Sequence, residues 1–235
     1  MIRLLLVGYG RMGKLVESLA GEYGCEIAGI VDPMLGADGV DSDRWRGPGA
    51  AGATVDVAVD FSSPDAVATN LPSVARRRVN VVIGTTGWSA HEPALRAVAA
   101  AAGIGVVAAP NFSTGVVLFD AIVAEAARLF ASQGDVSAFL HEAHHQLKKD
   151  APSGTALLLK RTMEQAGFTR PIDVSSTRAG YIPGTHTIGF DGPAETVTLT
   201  HTARDRTSFA RGALVAARWV AGKQGWFTMQ DVLGL

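Results

Sequence analysis

Five short apolar runs punctuate the first half of the chain: "IRLLLVG" (2–8), "EIAGIVD" (26–32), "VDVAVDFS" (55–62), "NVVIGTTG" (80–87) and "IGVVAAP" (104–110). Near-continuous runs of this kind suit strands covered on both faces of a sheet. Helical stretches stand between them, "RMGKLVESLAGEY" (11–23), "PDAVATNLPSVARRR" (64–78) and "AHEPALRAVAAAA" (90–102). Strands alternating with helices at this spacing predict right-handed βαβ units, and so an α/β chain with a Rossmann-type doubly wound parallel sheet.

The first strand-to-helix turn reads "VGYGRMG" (7–13), with Gly8, Gly10 and Gly13 in G-x-G-x-x-G spacing. That spacing alone is weak in a chain with 27 glycines. Its place after a strand and at the start of a helix gives it meaning: Gly8 permits the tight turn, Gly10 lets backbone approach a pyrophosphate, and Gly13 allows close helix packing. An acid is expected about 20 residues on to hold a ribose hydroxyl, and Asp32 stands there. The turns "GTTG" (84–87) and "APNFSTG" (109–115) follow later strands, where ligands of open α/β sheets gather. A nicotinamide dinucleotide, NADH or NADPH, fits this set best. Asp32 precedes Pro33, Met34 and Leu35 with no arginine directly after it, which favours NADH at least as well as NADPH; Arg11, Arg44 and Arg46 keep use of the 2′-phosphate open.

Beyond residue 110 the pattern changes. An amphipathic stretch, "TGVVLFDAIVAEAARLF" (114–130), leads to a strand, "VSAFLHEAHH" (136–145), and a helix, "SGTALLLKRTMEQAG" (153–167). Then come β-like runs, "IDVSSTRAG" (172–180), "HTIGFD" (186–191) and "ETVTLTHTA" (195–203). They predict a second α+β domain with a mixed or antiparallel sheet and helices on one face. A last helix from 208 resumes the Ala-rich style of the first half and is expected to pack back on it.

Charge argues about partners. Lys+Arg 21 against Asp+Glu 22 gives a net charge of −1, which makes nucleic acid a poor partner. The longest uncharged stretch, 97–110, is broken by glycines and shorter than a membrane span requires, and the apolar run before Gly8 is too short for a signal peptide. The single cysteine, Cys25, excludes an intramolecular disulfide. A soluble, cytoplasmic protein is expected.

Residues 142–156, "EAHHQLKKDAPSGTA", crowd ionisable groups beside a small-residue turn. Such crowding is of little use to a core and suits a catalytic site. On a strand Glu142 and His144 share one face and His145 takes the other. Histidine is suited to proton transfer near neutrality, and Lys148 and Lys149 add cations able to bind a carboxylate or give a proton. Ser153, Gly154 and Thr155 offer backbone N–H groups and hydroxyls at a helix start that Pro152 presets, an anion cradle. No metal is expected, because adjacent strand residues diverge and no third ligand is spaced for tetrahedral closure.

"GYGRMG", "VDFSSPDA", "VIGTTG", "APNFSTGV" and above all "EAHHQLKKDAPSGTA" resemble the 4-hydroxy-tetrahydrodipicolinate (dihydrodipicolinate) reductases of the diaminopimelate route to lysine, and the resemblance runs from residue 2 to "MQDVL". It implies reduction of a cyclic imine dicarboxylate by NADH or NADPH, a homotetramer, residues 1–110 as dinucleotide-binding domain with a helix 208–235 packed back on it, and 111–207 as substrate-binding and oligomerisation domain. By the same resemblance His144 is the acid/base and Lys148 the proton donor. It places His145, Gly154 and Thr155 at substrate-binding positions, and the anion cradle read above adds Ser153 to them. Gly8, Tyr9, Gly10, Arg11, Met12, Gly13, Asp32, Gly84, Thr85, Thr86, Ala109, Pro110, Asn111 and Phe112 bind cofactor. Two rivals are another two-domain NAD-dependent dehydrogenase, which the first 110 residues alone would allow, and a nucleotide-sensing regulator, which gives 142–156 no purpose.

Overall fold

The computed structural model describes residues 1–47 and 54–235. The chain divides into two compact units, residues 1–114 with 207–235, and residues 115–206.

The first unit opens with β1 (Ile2–Val7), α1 (Arg11–Leu19), β2 (Cys25–Val31), β3 (Val57–Asp60), α2 (Pro64–Arg76), β4 (Asn80–Ile83), α3 (Glu92–Ala102) and β5 (Gly105–Ala108). The strands are all parallel and lie in the order β5-β4-β3-β1-β2. Leu4 to Val7 of β1 and all of β3 and β4 are buried, as strands covered on both faces must be. Leu5, Val7, Ala58, Val81 and Ile83 pack with Val67, Leu71 and Val74 of α2 and Leu95 and Ala99 of α3. Helix α2 starts on Ser63, whose hydroxyl accepts the Ala66 N–H, with Pro64 in its first turn. Because β2 lies on one side of β1 and β3 on the other, the chain order reverses at β1, the position at whose carboxyl end open α/β sheets bind ligands.

The second unit holds α4 (Thr114–Ala131), which begins at the unit boundary, β6 (Ser137–His144), α5 (Gly154–Gln165), β7 (Ile172–Arg178), β8 (Thr185–Asp191) and β9 (Thr196–Thr202). Its sheet runs β7-β6-β8-β9, with β6 and β7 parallel and the other pairs antiparallel, so the expected mixed sheet is borne out. Strand β6 alternates strictly. Ala138, Leu140, Glu142 and His144 turn inward, and the apolar pair packs with Ile188 and Phe190 of β8 against Phe119, Val123 and Ala127 of α4 and Leu159 and Met163 of α5. The Arg170 guanidinium donates to the carbonyls of Phe130, Ala131 and Val136, satisfying orphan acceptors at the end of α4.

The C-terminal segment corrects one expectation. Instead of a single helix over 208–235, the chain forms α6 (Thr207–Val220), a short strand β10 (Gly225–Phe227) and α7 (Met229–Leu233). β10 adds a sixth parallel strand beside β5. Gly222 and Gly225 sit at φ +76° and +128°, which end the helix and allow the turn into the strand. Asn80 fastens this return: its amide donates to the carbonyls of Val220 and Lys223 while its oxygen accepts the Gly105 N–H. Gly212 of α6 lies so close to Phe112 that a Cβ there would fall 1.7 Å from the Phe112 carbonyl oxygen.

Candidate active site

In the first unit, the turns predicted to hold a dinucleotide all lie on the carboxyl side of the parallel sheet because they follow β1, β2, β4 and β5. Gly8 has φ +88°, and a Cβ there would meet the Phe61 carbonyl at 2.5 Å; at Gly13 it would meet the Gly8 carbonyl at 2.3 Å. At Gly10 it would meet nothing within 4 Å. Two glycines are therefore fixed by packing and the middle one faces open space at the start of α1, where N–H groups favour an anion. Arg11 and Met12 open that helix.

The Asp32 carboxylate binds the glycine turn directly. One oxygen accepts the Tyr9 N–H at 2.6 Å and the other the Met34 N–H at 2.8 Å. Each oxygen keeps a lone pair, so the group is both oriented and able to accept ribose hydroxyls. The Arg46 guanidinium lies 6.0 Å from the centre of the Tyr9 ring, carried there by backbone pairing between Ile30 and Arg46.

Asp60, at the end of β3, is a buried carboxylate to which the sequence reading gave no role. It accepts from the Ser62 N–H and hydroxyl, the Asn70 amide and the Thr85 hydroxyl. Burial pushes its pKa up, and those donors oppose the shift. Asp60 therefore ties the turn after β4 to the end of β3. The Phe61 ring fills the space beside Gly84, where a Cβ would lie 2.0 Å from it, and meets Phe112 edge-on at 6.4 Å. Phe112 is itself buried, so its ring serves packing, while the Asn111 side chain folds back on the Ser113 N–H. Thr86 is exposed, and Ala109 and Pro110 form the rim after β5.

The second unit gathers residues 142–156. Glu142 is 0% exposed and His144 only 9%. The Glu142 carboxylate bonds His144 Nδ1, takes two N–H groups of Arg178 at 2.7 and 2.9 Å, and accepts the Ser153 N–H at 3.3 Å. Burial alone would raise the Glu142 pKa; hydrogen bonds from Arg178, Ser176 and His144 outweigh it and hold the group at about 2. Burial lowers the His144 pKa, and the Glu142 contact only partly offsets that. The imidazole is therefore a neutral base at physiological pH that can accept a proton.

Strand β6 ends at His144, and His145 opens the turn with its carbonyl accepting the Lys148 N–H. Lys148 is half-buried and its ammonium contacts both oxygens of Asp150 at 2.8 and 2.9 Å; Lys149 is exposed. Lys148 lowers the Asp150 pKa, helped by a Gly154 N–H, so a carboxylate already lies between Lys148 and the start of α5. A Cβ at Gly154 would meet nothing within 4 Å, and Thr155 is half-buried beside it.

Two readings of this turn change. Pro152 precedes the helix through a cis peptide bond instead of opening it. The Ser153 hydroxyl is buried and occupied, accepting the Ala156 N–H at 3.1 Å and contacting His186 Nε2 at 3.0 Å, so it caps α5 and faces His186. His186 is also the third group that spacing along 142–156 did not supply: Glu142, His144 and His186 each bring one donor atom within 4.8 Å of the others. The Glu142 oxygens already serve a guanidinium, an imidazole and an amide, a donor set that suits a hydrogen-bonded network better than a cation.

Comparison with known proteins covers both units of the chain. Residues 2–112 match the family model of the dihydrodipicolinate reductase N-terminus, and 115–233 that of its C-terminus. The chain is 38% identical to the 4-hydroxy-tetrahydrodipicolinate reductase of Laribacter hongkongensis, over 100% of this chain and 98% of the relative. It is 39% identical to that of Thiobacillus denitrificans, over 100% and 99%. The chain belongs to the dihydrodipicolinate reductase family. Family members are NAD(P)H-dependent oxidoreductases. A solved structure, dipicolinate-bound dihydrodipicolinate reductase from Paenisporosarcina sp. TG-14, shares the fold with a TM-score of 0.80 at 23% identity, over 98% of each chain.

Within this family chain, sequence reading missed Asp60, Arg178 and His186. Arg178 and His186 come from other strands, paired in register with His144 and Glu142 respectively. No local pattern could have found them, since each reads as a lone polar residue in a β run. Among the described residues, no helix is long and apolar enough to cross a membrane.

Proposed function

We propose that the chain reduces 4-hydroxy-tetrahydrodipicolinate to tetrahydrodipicolinate in lysine biosynthesis via diaminopimelate, with His144 as acid/base and Lys148 as proton donor. The observation that carries this reading is the buried Glu142–His144 pair beside Lys148 and the open start of α5, in a chain whose full length matches the family. A reduced nicotinamide dinucleotide supplies the hydride. Once the 4-hydroxyl has left as water, hydride arriving at one carbon of the resulting conjugated ring leaves electron density on its neighbour, which must take a proton. Lys148 is the proton donor there, and His144, neutral and held by Glu142, manages the proton around the substrate. The Gly154 and Thr155 amides with His145 hold a substrate carboxylate in place of Asp150.

The cofactor is held, on the same reading, by the backbone of residues 8–13, by Asp32 at the ribose, and by residues 84–86 and 109–112. The Asp32 carboxylate, with no arginine directly after it, supports use of NADH at least as well as NADPH. Residues 111–207 bind substrate and join four copies in a cytoplasmic homotetramer. The assay that tests the activity adds freshly made condensation product of pyruvate and aspartate semialdehyde with NADH or NADPH. Substrate-dependent loss of reduced-nicotinamide absorbance is expected, and cofactor binding without turnover would favour a sensor instead.

A further inference from the structure

Glu142 lies wholly inside the protein, yet nothing in the proposed chemistry uses it directly. Resting on the reading of His144 as acid/base, we propose that Glu142 and Arg178 are a positioning pair that keeps the His144 proton on Nδ1 and leaves Nε2 as the atom open to substrate.

The count of available hydrogens fixes the tautomer. An ionised carboxylate has acceptors only, so its contact with His144 Nδ1 requires the proton to sit on that nitrogen. Arg178 keeps the carboxylate ionised, because a guanidinium gripping both oxygens at 2.7 and 2.9 Å has no neutral form in water. Arg178 is fixed in turn by the carbonyls of Thr177 and Asp150, and it is the register partner of His144 across β6 and β7, so the pair is set by the sheet. The ring's other nitrogen is kept clear by Gly184: at φ +146°, a Cβ there would sit 3.1 Å from Nε2.

The groups facing His144 are Glu142 on its own strand, Arg178 from β7, His186 from β8 edge-on at 5.1 Å, and Lys148 with its partner Asp150 from the following turn. Glu142 favours the protonated ring, whereas Arg178 and Lys148 oppose it. Removing Glu142 or Arg178 must then shift His144 in opposite directions, which a merely structural role would not do.

The test combines tautomer NMR with pH profiles on the full chain. With 15N-labelled histidine, the His144 signal is assigned by its loss in His144→Gln, and long-range 1H–15N correlations report which nitrogen carries the proton. Wild type is expected to show Nδ1–H. Glu142→Gln should give a mixed tautomer, lower kcat by about 10–100-fold and move the acidic limb of the kcat profile to lower pH. Arg178→Met should move that limb to higher pH, and Glu142→Asp should retain Nδ1–H and recover part of the rate. If a single variant fails to fold because it strands a buried charge, the double variant Glu142→Gln/Arg178→Met removes both charges and should still show the mixed tautomer. A wild-type His144 protonated on Nε2, or two single variants shifting the limb the same way, overturns the proposal. Undiminished turnover by His144→Gln would overturn the acid/base reading it rests on, and the wild-type spectrum, which needs no turnover, tells that failure from the other.

Discussion

His186 and Ser153, 33 residues apart in sequence, meet at 3.0 Å between Nε2 and Oγ at the start of α5. Ser153 Oγ also accepts the Ala156 N–H, and the other ring nitrogen of His186, Nδ1, is buried with no hydrogen-bond partner among the described residues. Burial pushes the His186 pKa down to about 4. Its unfolded value is about 6.5. Above that value both states are neutral and the full stability is present. As pH falls, the unfolded chain takes up the proton first, so stability is lost between about 6.5 and 4. Denaturant titrations should show this one group costing about 2 kcal/mol between pH 7.5 and pH 5. In His186→Gln that loss should shrink; an unchanged pH slope would refute the assignment. Glu142, held at about 2, adds its own loss only below about pH 4.5.

Lys148 and Lys149 are neighbours in sequence with different surroundings. Lys148 is half-buried against Asp150 beside the α5 start, whereas Lys149 is exposed. Lys148→Ala and His144→Gln should each lower kcat by about 10²–10⁴-fold with little change in cofactor affinity. Lys149→Ala should be mild. Steady-state kinetics with cofactor binding followed by fluorescence separates the outcomes, and equal damage from both lysine variants would reassign the proton donor.

Three glycines should respond differently to a side chain. Gly154 faces open space, so Gly154→Val should leave thermal stability near wild type and raise KM through bulk in the proposed carboxylate site. Gly8→Ala and Gly212→Ala would press a methyl group into the carbonyls of Phe61 and Phe112. Both should unfold at lower temperature, by an amount typical of overpacked cores, about 1–3 kcal/mol. Thermal denaturation beside substrate titration checks all three, and loss of folding in Gly154→Val would make that glycine structural.

What the sequence disclosed and what it hid divide along the range of the interactions. Parallel strands carry their signature locally as apolar runs, so β1 to β5 and their turns could be located from residues 2–110 alone. The segment 142–156 was legible for the same reason, since its charge density is a local property. Strand β10 was not, because three residues after two glycines give no periodicity, and its pairing with β5 is decided by Asn80 and α6 far away in sequence. Arg178 and His186 were hidden more deeply. Their roles arise from strand register, which brings residues 36 and 44 positions from Glu142 against it only after the sheet has formed.

Cofactor choice turns on Asp32 and Arg46. The Asp32 carboxylate is pinned by the Tyr9 and Met34 N–H groups and aimed at the turn where a ribose would lie. Ribose hydroxyls can donate to its free lone pairs, whereas a 2′-phosphate would meet like charge at a group that cannot swing away. Arg46 offers a partial remedy, because its guanidinium lies 6.0 Å from the Tyr9 ring on the same turn; Lys14 reaches the ring at 5.8 Å. NADH is therefore expected to be used at least as well as NADPH in kcat/KM. Asp32→Ala should move that ratio toward NADPH by roughly tenfold or more, about 1.4 kcal/mol. Arg46→Ala should move it toward NADH by weakening NADPH alone. Equilibrium binding of each dinucleotide, read by quenching of tryptophan fluorescence, checks both shifts without turnover. A wild-type preference for NADPH above about tenfold would overturn the Asp32 argument, and an unaltered NADPH affinity in Arg46→Ala would leave Arg11 as the residue to test next.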